Sequence, residues 1–132
     1  MRRLGLLGGM SWESSIEYER LINQIVRKRA GGLASADLLI RSFNFADIET
    51  MQREGRWDDA AQVLVDAAAN LVDGGAEAIV LCTNTMHAVA TAIEAAITVP
   101  FLHLADATAV AVVAAGVPVV ALLGTRYTME QA

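Results

Sequence analysis

The sequence predicts an α/β fold, a parallel sheet with helices on both faces, and three observations carry that prediction. Short apolar runs alternate with segments of helical periodicity along the chain. Glycine pairs punctuate the elements at Gly8-Gly9, Gly31-Gly32 and Gly74-Gly75. Parallel strands need crossover connections, and the intervening helices supply them with the right-handed sense that strand twist imposes.

Residues 3–7 form an apolar run closed by Gly8-Gly9, the pattern of a buried strand that stops at a tight turn. A helix follows. Ser11 is a fair N-cap, Glu13 lies in the first turn, and Ile16, Leu21, Ile22, Ile25 and Val26 recur at helical spacing until Gly31-Gly32. Residues 37–43 read as a second strand and residues 46–55 as a short polar helix. Residues 57–72 form a longer helix with Ala61, Val63, Leu64, Ala67, Ala68 and Leu71 as its apolar stripe and Gly74-Gly75 as its stop. Residues 76–81 are a third strand, 86–96 a helix, 99–104 a fourth strand, 105–115 an Ala/Val helix and 117–123 a fifth strand. Residues 128–132 open another helix. An apolar strand so near the end has nothing after it to cover it, so the chain reads as cut short.

The chain has 132 residues, 55% of them apolar, with ten basic and fifteen acidic side chains and a formal charge of −5. That length supports one core without disulfides or metals. The acidic balance, with a pI near 4.9, argues against nucleic acid, which needs clustered cations. Arg27, Lys28 and Arg29 are the one basic cluster, and at a helix end they complement the macrodipole. A single cysteine, Cys82, excludes a disulfide within the chain and suits a reducing, cytoplasmic setting. The Met-Arg-Arg start is not a signal peptide, because Glu13 arrives before an apolar segment of sufficient length. The uncharged stretch 107–124 is cut by Gly116-Val117-Pro118 into pieces too short to span a membrane.

Ligands in such folds bind outside the carboxyl ends of the strands. Three turns fall there: Gly8-Gly9-Met10-Ser11, the stretch after Phe43, and Cys82-Thr83-Asn84-Thr85. In the last, a thiol, two hydroxyls and an amide stand between a buried strand and a helix start, where backbone N–H groups would lower the thiol pKa and hold a carboxylate. The glycines match neither the dinucleotide fingerprint nor a phosphate loop. Cys82, His87 and His103 fit no zinc spacing, so no metal is expected. A Cys82–His87 nucleophile pair lacks an identifiable orienting group. His103 reads as a hydrogen-bonded histidine near a strand end, and Trp12 and Trp57 as packing residues.

Three segments together resemble the aspartate/glutamate racemase family: Gly-Leu-Leu-Gly-Gly-Met-Ser-Trp-Glu-Ser at 5–14, Leu-Cys-Thr-Asn-Thr-Met-His at 81–87, and Pro-Phe-Leu-His-Leu-Ala-Asp-Ala-Thr at 100–108. The likeness continues through Ala-Leu-Leu-Gly-Thr-Arg-Tyr-Thr-Met-Glu at 121–130 and is nearest to the bacterial broad-specificity amino-acid racemases. It implies a pair of α/β domains, here a first domain over 1–104 and an incomplete second over 105–132. It further implies cofactor-independent racemisation by two cysteines on opposite faces of the substrate α-carbon. Cys82 matches the first; the second belongs to the other half of the family's chain. By the same resemblance Met10 and Gln52 contact a small amino-acid substrate, Thr83, Asn84 and Thr85 bind its α-carboxylate, and Ser11 is a further candidate. Arg41 and Arg53 read either as partners for an acidic substrate side chain or as solvated surface charges, the second reading being preferred for Arg53. Family members are often dimers, which makes a homodimer an assembly to test. Hydantoin racemases, maleate isomerases and arylmalonate decarboxylases share the layout and stand as alternatives, as does a half-domain that binds small carboxylates without turnover.

Overall fold

The computed structural model describes residues 2–130. Strand β1 (Leu4–Gly8) leads into α1 (Trp12–Ala30), and β2 (Leu38–Ser42) into α2 (Phe45–Arg53) and α3 (Trp57–Asp73). β3 (Ala78–Leu81) is followed by a 3-10 turn (Thr85–Val89), α4 (Ala90–Ala96), β4 (Phe101–Leu102), α5 (Leu104–Ala114) and α6 (Arg126–Glu130). The strands form one parallel sheet in the order β2-β1-β3-β4. Leu4 stands beside Leu38 on one side and Ala78 on the other, and Ile79 beside Phe101.

The path runs outward from β1 to β2, then returns across β1 to β3 and on to β4. Right-handed crossovers therefore place α1 on one face and α3 and α4 on the other. The reversal makes the gap between β1 and β3 the topological switch point, where the carboxyl ends of neighbouring strands diverge and leave a crevice.

The core lies under α3, which buries Ala60, Leu64, Ala67, Ala68 and Leu71 against Leu7, Ile79 and Leu81 of the sheet. Side-chain alternation along a strand puts these residues on one face. Gly5 shares that face, where a Cβ would come within 2.7 Å of Ile79 Cδ1 and 3.2 Å of Leu71 Cβ. Small residues let the helix approach the sheet this closely.

The opposite face is less covered. The apolar stripe predicted for α1 is not a buried one: the helix buries no residue, and Ile16, Leu21 and Ile25 stay about half exposed. Its contact with the sheet is made at its first turns, where Ser15 lies against Gly8. Residues 117–123, predicted as a fifth strand, form none, and Val119 and Leu123 are exposed. A strand needs a neighbour to satisfy its backbone, and among the described residues no segment flanks this one. β4 shrinks to two residues, and the helix predicted over 86–96 opens instead as the 3-10 turn before α4. The last predicted helix begins two residues early, at Arg126, while Gln131 and Ala132 lie outside the described residues. Among the described residues no helix is long and apolar enough to cross a membrane.

Candidate functional site

The two turns at the switch point are tied to each other. Gly9 takes a φ of 86°, which favours glycine. The Phe43 N–H donates to Gly8 O at 2.9 Å, so the turn also holds the end of β2. Ser11 occupies the N-cap position without a side-chain capping bond. Ser15 works there instead, its Oγ accepting from Gly9 N–H at 2.8 Å and donating to Ser11 O at 3.2 Å. From the other turn, Thr83 Oγ1 donates to Met10 O at 3.2 Å.

A cavity of about 560 Å³ opens over these turns, and its wall includes Met10, Ser11, Gln52, Thr83, Asn84 and Thr85. All six substrate-contact candidates are therefore brought to one place from three separate segments. Gln52 is nine-tenths buried, and its Nε2 donates to Met86 Sδ at 2.9 Å. A thioether is a weak acceptor, so a ligand oxygen would be a better partner for that amide. The Thr85 hydroxyl joins those of Thr125, at 2.9 Å, and Thr128, at 3.3 Å.

Ser14, Tyr18, Thr125 and Thr128 add to the polar wall, beside Glu49, Arg126 and Tyr127, and the sequence does not single them out. A signal existed for two of them, since Ser11, Ser14 and Tyr18 follow helical spacing on one side of α1. Burial holds the Tyr18 phenol above its ordinary pKa, with a smaller push from Cys82. Arg41 and Arg53 do not line the cavity. Arg41 stacks over the Phe43 ring at 4.7 Å, and Arg53 pairs with Glu49 at 3.5 Å. The cation on the wall is Arg126, whose Nε is bound to Glu130 at 2.8 Å.

Cys82 departs from expectation in two ways. Its N–H still donates to Leu7 O at 2.9 Å, so the residue continues the strand ladder. Its side chain lines a smaller neighbouring cavity of about 210 Å³, with Gly8, Ser15, Ser42 and Trp12, under the start of α1. The thiol pKa is not lowered but pushed up to about 12, because the group is buried without a cation to favour the thiolate. The expected helix N-terminus is a five-residue 3-10 turn.

The Cys82–His87 pair, for which the sequence offers no orienting group, is not formed. His87 Nδ1 lies 2.7 Å from Thr83 O, and Leu104 N–H donates to Nε2 at 3.3 Å, so both ring nitrogens are engaged elsewhere. His103 sits at a strand end with its Nδ1 accepting from Ala105 N–H at 3.1 Å, as its sequence context predicts. Trp57 packs edge-on against Tyr127, ring centroids 5.6 Å apart.

A family model for Asp/Glu/hydantoin racemases matches residues 7–132. A crystal structure from Yersinia pestis, described as a candidate Asp/Glu racemase, is 56% identical with a TM-score of 0.94, covering 99% of this chain and 57% of that one. The structure of an aspartate racemase homologue from Pyrococcus horikoshii OT3 is 29% identical with a TM-score of 0.80, covering 88% of this chain and 50% of the other. The present chain thus spans a little over half the length of the first of these and half of the second. Sheet order, the turns at the switch point and a match over almost every residue agree, and the chain belongs to the Asp/Glu/hydantoin racemase family.

Proposed function

We propose that this chain carries one half of the site of a cofactor-independent, two-base amino-acid racemase acting in the cytoplasm, with Cys82 as the acid–base group on one face of the substrate α-carbon. The observation that supports this best is the convergence of Met10, Ser11, Gln52, Thr83, Asn84 and Thr85 on one cavity, the last three following directly on Cys82, whose own side chain faces the smaller cavity. In this reading the hydroxyls and amides hold the α-carboxylate, and the Cys82 thiolate removes the α-proton. The C–H electron pair moves into an enediolate, whose added charge meets the same donors. A proton then returns from a second acid on the opposite face, because one thiol cannot serve both. In this reading the substrate ammonium, carried by the same carbon that gives up the proton, is the cation that favours the ionised thiol against the cost of burial.

Residues 105–132 are assigned in the same proposal to the opening of a second α/β domain, a reading supported by α5, which buries none of its residues. Cavity charge is balanced between Glu49 and Arg126, each already paired, which favours broad specificity over a dedicated pocket for an acidic side chain.

Asn84→Ala and Thr85→Ala are each expected to weaken amino-acid binding by about 1.5–3 kcal/mol, the range for a lost hydrogen bond to a charged group. Calorimetric titration of the variants checks this, and unchanged affinity in both would place the carboxylate elsewhere.

The reading as a whole is tested by α-proton exchange in deuterated water together with enantiomer conversion. The 132-residue chain should convert no amino acid at a useful rate, since one face lacks its acid–base group and the open cleft leaves the carboxylate contacts screened by water. A chimera extended with the remaining part of the Yersinia pestis relative should convert. Equal rates for the two proteins would sink the two-base assignment.

A further inference from the structure

The Thr83–Asn84 loop and the start of α5 are separated by twenty residues of chain, yet one side chain touches both. A carbonyl can only accept and a backbone N–H can only donate, so the contacts of His87 to Thr83 O and from Leu104 N–H fix its state. Nδ1 carries the proton, Nε2 is bare, and the ring is neutral. The ring also packs against Phe101, centroids 6.0 Å apart, and His103, 4.5 Å apart. It therefore bridges the end of β3, β4 and α5.

We propose that His87 is a positioning residue that latches the Thr83–Asn84 loop to the first residue of α5. Only the identity of the loop's ligand rests on the racemase reading; the latch itself rests on the two hydrogen bonds. Through Thr83, whose hydroxyl donates to Met10 O, the latch reaches the turn after β1 as well. Both strand ends at the switch point are thus registered against the helix that follows β4.

The latch has a built-in release. Protonation keeps the bond to Thr83 O but sets an Nε2–H against the Leu104 N–H, donor against donor. Burial already holds the His87 pKa below its ordinary value; the backbone carbonyls of Thr83 and Asn84 oppose that shift, and the Coulombic influence of His103 adds to it. His103, at the junction of β4 and α5, is the titratable group whose charge acts on the ring, and Phe101 is neutral. Because the folded pKa is depressed, the contribution of His87 to stability is fully present above the unfolded value near 6.5 and is lost as pH falls through it toward the folded value.

Imidazole nitrogen NMR on the full chain reads the latch directly. The Nδ1–H tautomer is expected for His87, titrating below free histidine. Protection of the Leu104 amide, corrected for intrinsic exchange, should fall roughly threefold to tenfold as His87 titrates. His87→Phe keeps the ring volume and loses both bonds, so Leu104 should be unprotected at every pH; His103→Gln should leave the His87-linked change in place. An Nε2–H tautomer, or Leu104 protection in His87→Phe equal to the wild type, overturns the proposal, and the tautomer measurement stands even if the variant does not fold. L-Aspartate should perturb the Thr83 and Asn84 amides more weakly once His87 is protonated. Absence of any aspartate effect, with tautomer and Leu104 behaviour as expected, would count against the racemase reading and leave the latch in place.

Discussion

Alkylation of Cys82 by iodoacetamide is expected to be slow at pH 8 and to climb about tenfold per pH unit until the thiol ionises near pH 12. An ordinary thiol is roughly one-quarter ionised at pH 8, whereas one with a pKa of about 12 holds only on the order of one thiolate in ten thousand. The expected deficit is therefore about two-thousandfold from ionisation alone, with burial of the whole residue adding to it. Linkage gives the same group a stability signature. Its folded pKa is raised, so the buried thiol stabilises the fold fully below the unfolded value near 8.5 and progressively less as pH rises from there toward 12. Adding an amino acid should accelerate alkylation if its ammonium reaches the sulfur, and a rate that no amino acid changes would remove the thiolate from the proposed mechanism. In the extended chimera, Cys82→Ala should abolish enantiomer conversion and Cys82→Ser should severely impair it while the fold survives, since the changes are small in volume and a hydroxyl is far less acidic than a thiol. Near-normal enantiomer conversion in Cys82→Ser would rule out thiolate chemistry at this residue.

The second large effect is on stability. Gly9→Ala is expected to cost about 2–4 kcal/mol, combining an unfavourable positive φ with a backbone collision. At the Gly9 φ of 86°, a Cβ would fall 2.4 Å from both Phe43 N and Phe43 O, and backbone atoms cannot swing aside as a side chain can. The change would push the end of β2 away from the turn and carry Met10 with it, disturbing the carbonyl that receives Thr83 Oγ1. Gly31 separates the two causes. It has a similar φ of 77° with nothing within 4 Å of a Cβ, so Gly31→Ala should cost only about 1 kcal/mol. Urea denaturation of the two variants measures the difference, and equal losses would show that the turn at Gly9 yields more easily than its contacts imply.

Much of this was open to reading in one dimension. Periodicity located all four strands of the sheet and every helix of the first hundred residues, because each pattern carries the repeat of its own element, even in α1, whose apolar stripe is not buried. Gly8-Gly9 marked a tight turn because that backbone excludes other residues. The polar cluster after β3 marked the wall of a cavity, because short hydrogen-bonding side chains past a buried strand have no role in its packing. All six substrate-contact candidates line one cavity, although they come from three segments.

What the sequence could not hold were quantities set by neighbours distant in the chain. The order β2-β1-β3-β4 creates the switch point, and no local pattern encodes it. Residues 117–123 have the composition of a strand, but hydrogen-bonded pairing requires a partner at the right edge. The thiol's proton affinity was misread because the local helix start suggested an anion site, whereas desolvation by the surrounding sheet and α1 dominates. The five-residue spacing from Cys82 assigns His87 no partner, and its nitrogens are claimed by Thr83 O and, seventeen residues on, by Leu104 N–H. Spacing along the chain determined which residues could do chemistry; packing, through dielectric and hydrogen-bond direction, decided what state each one is in.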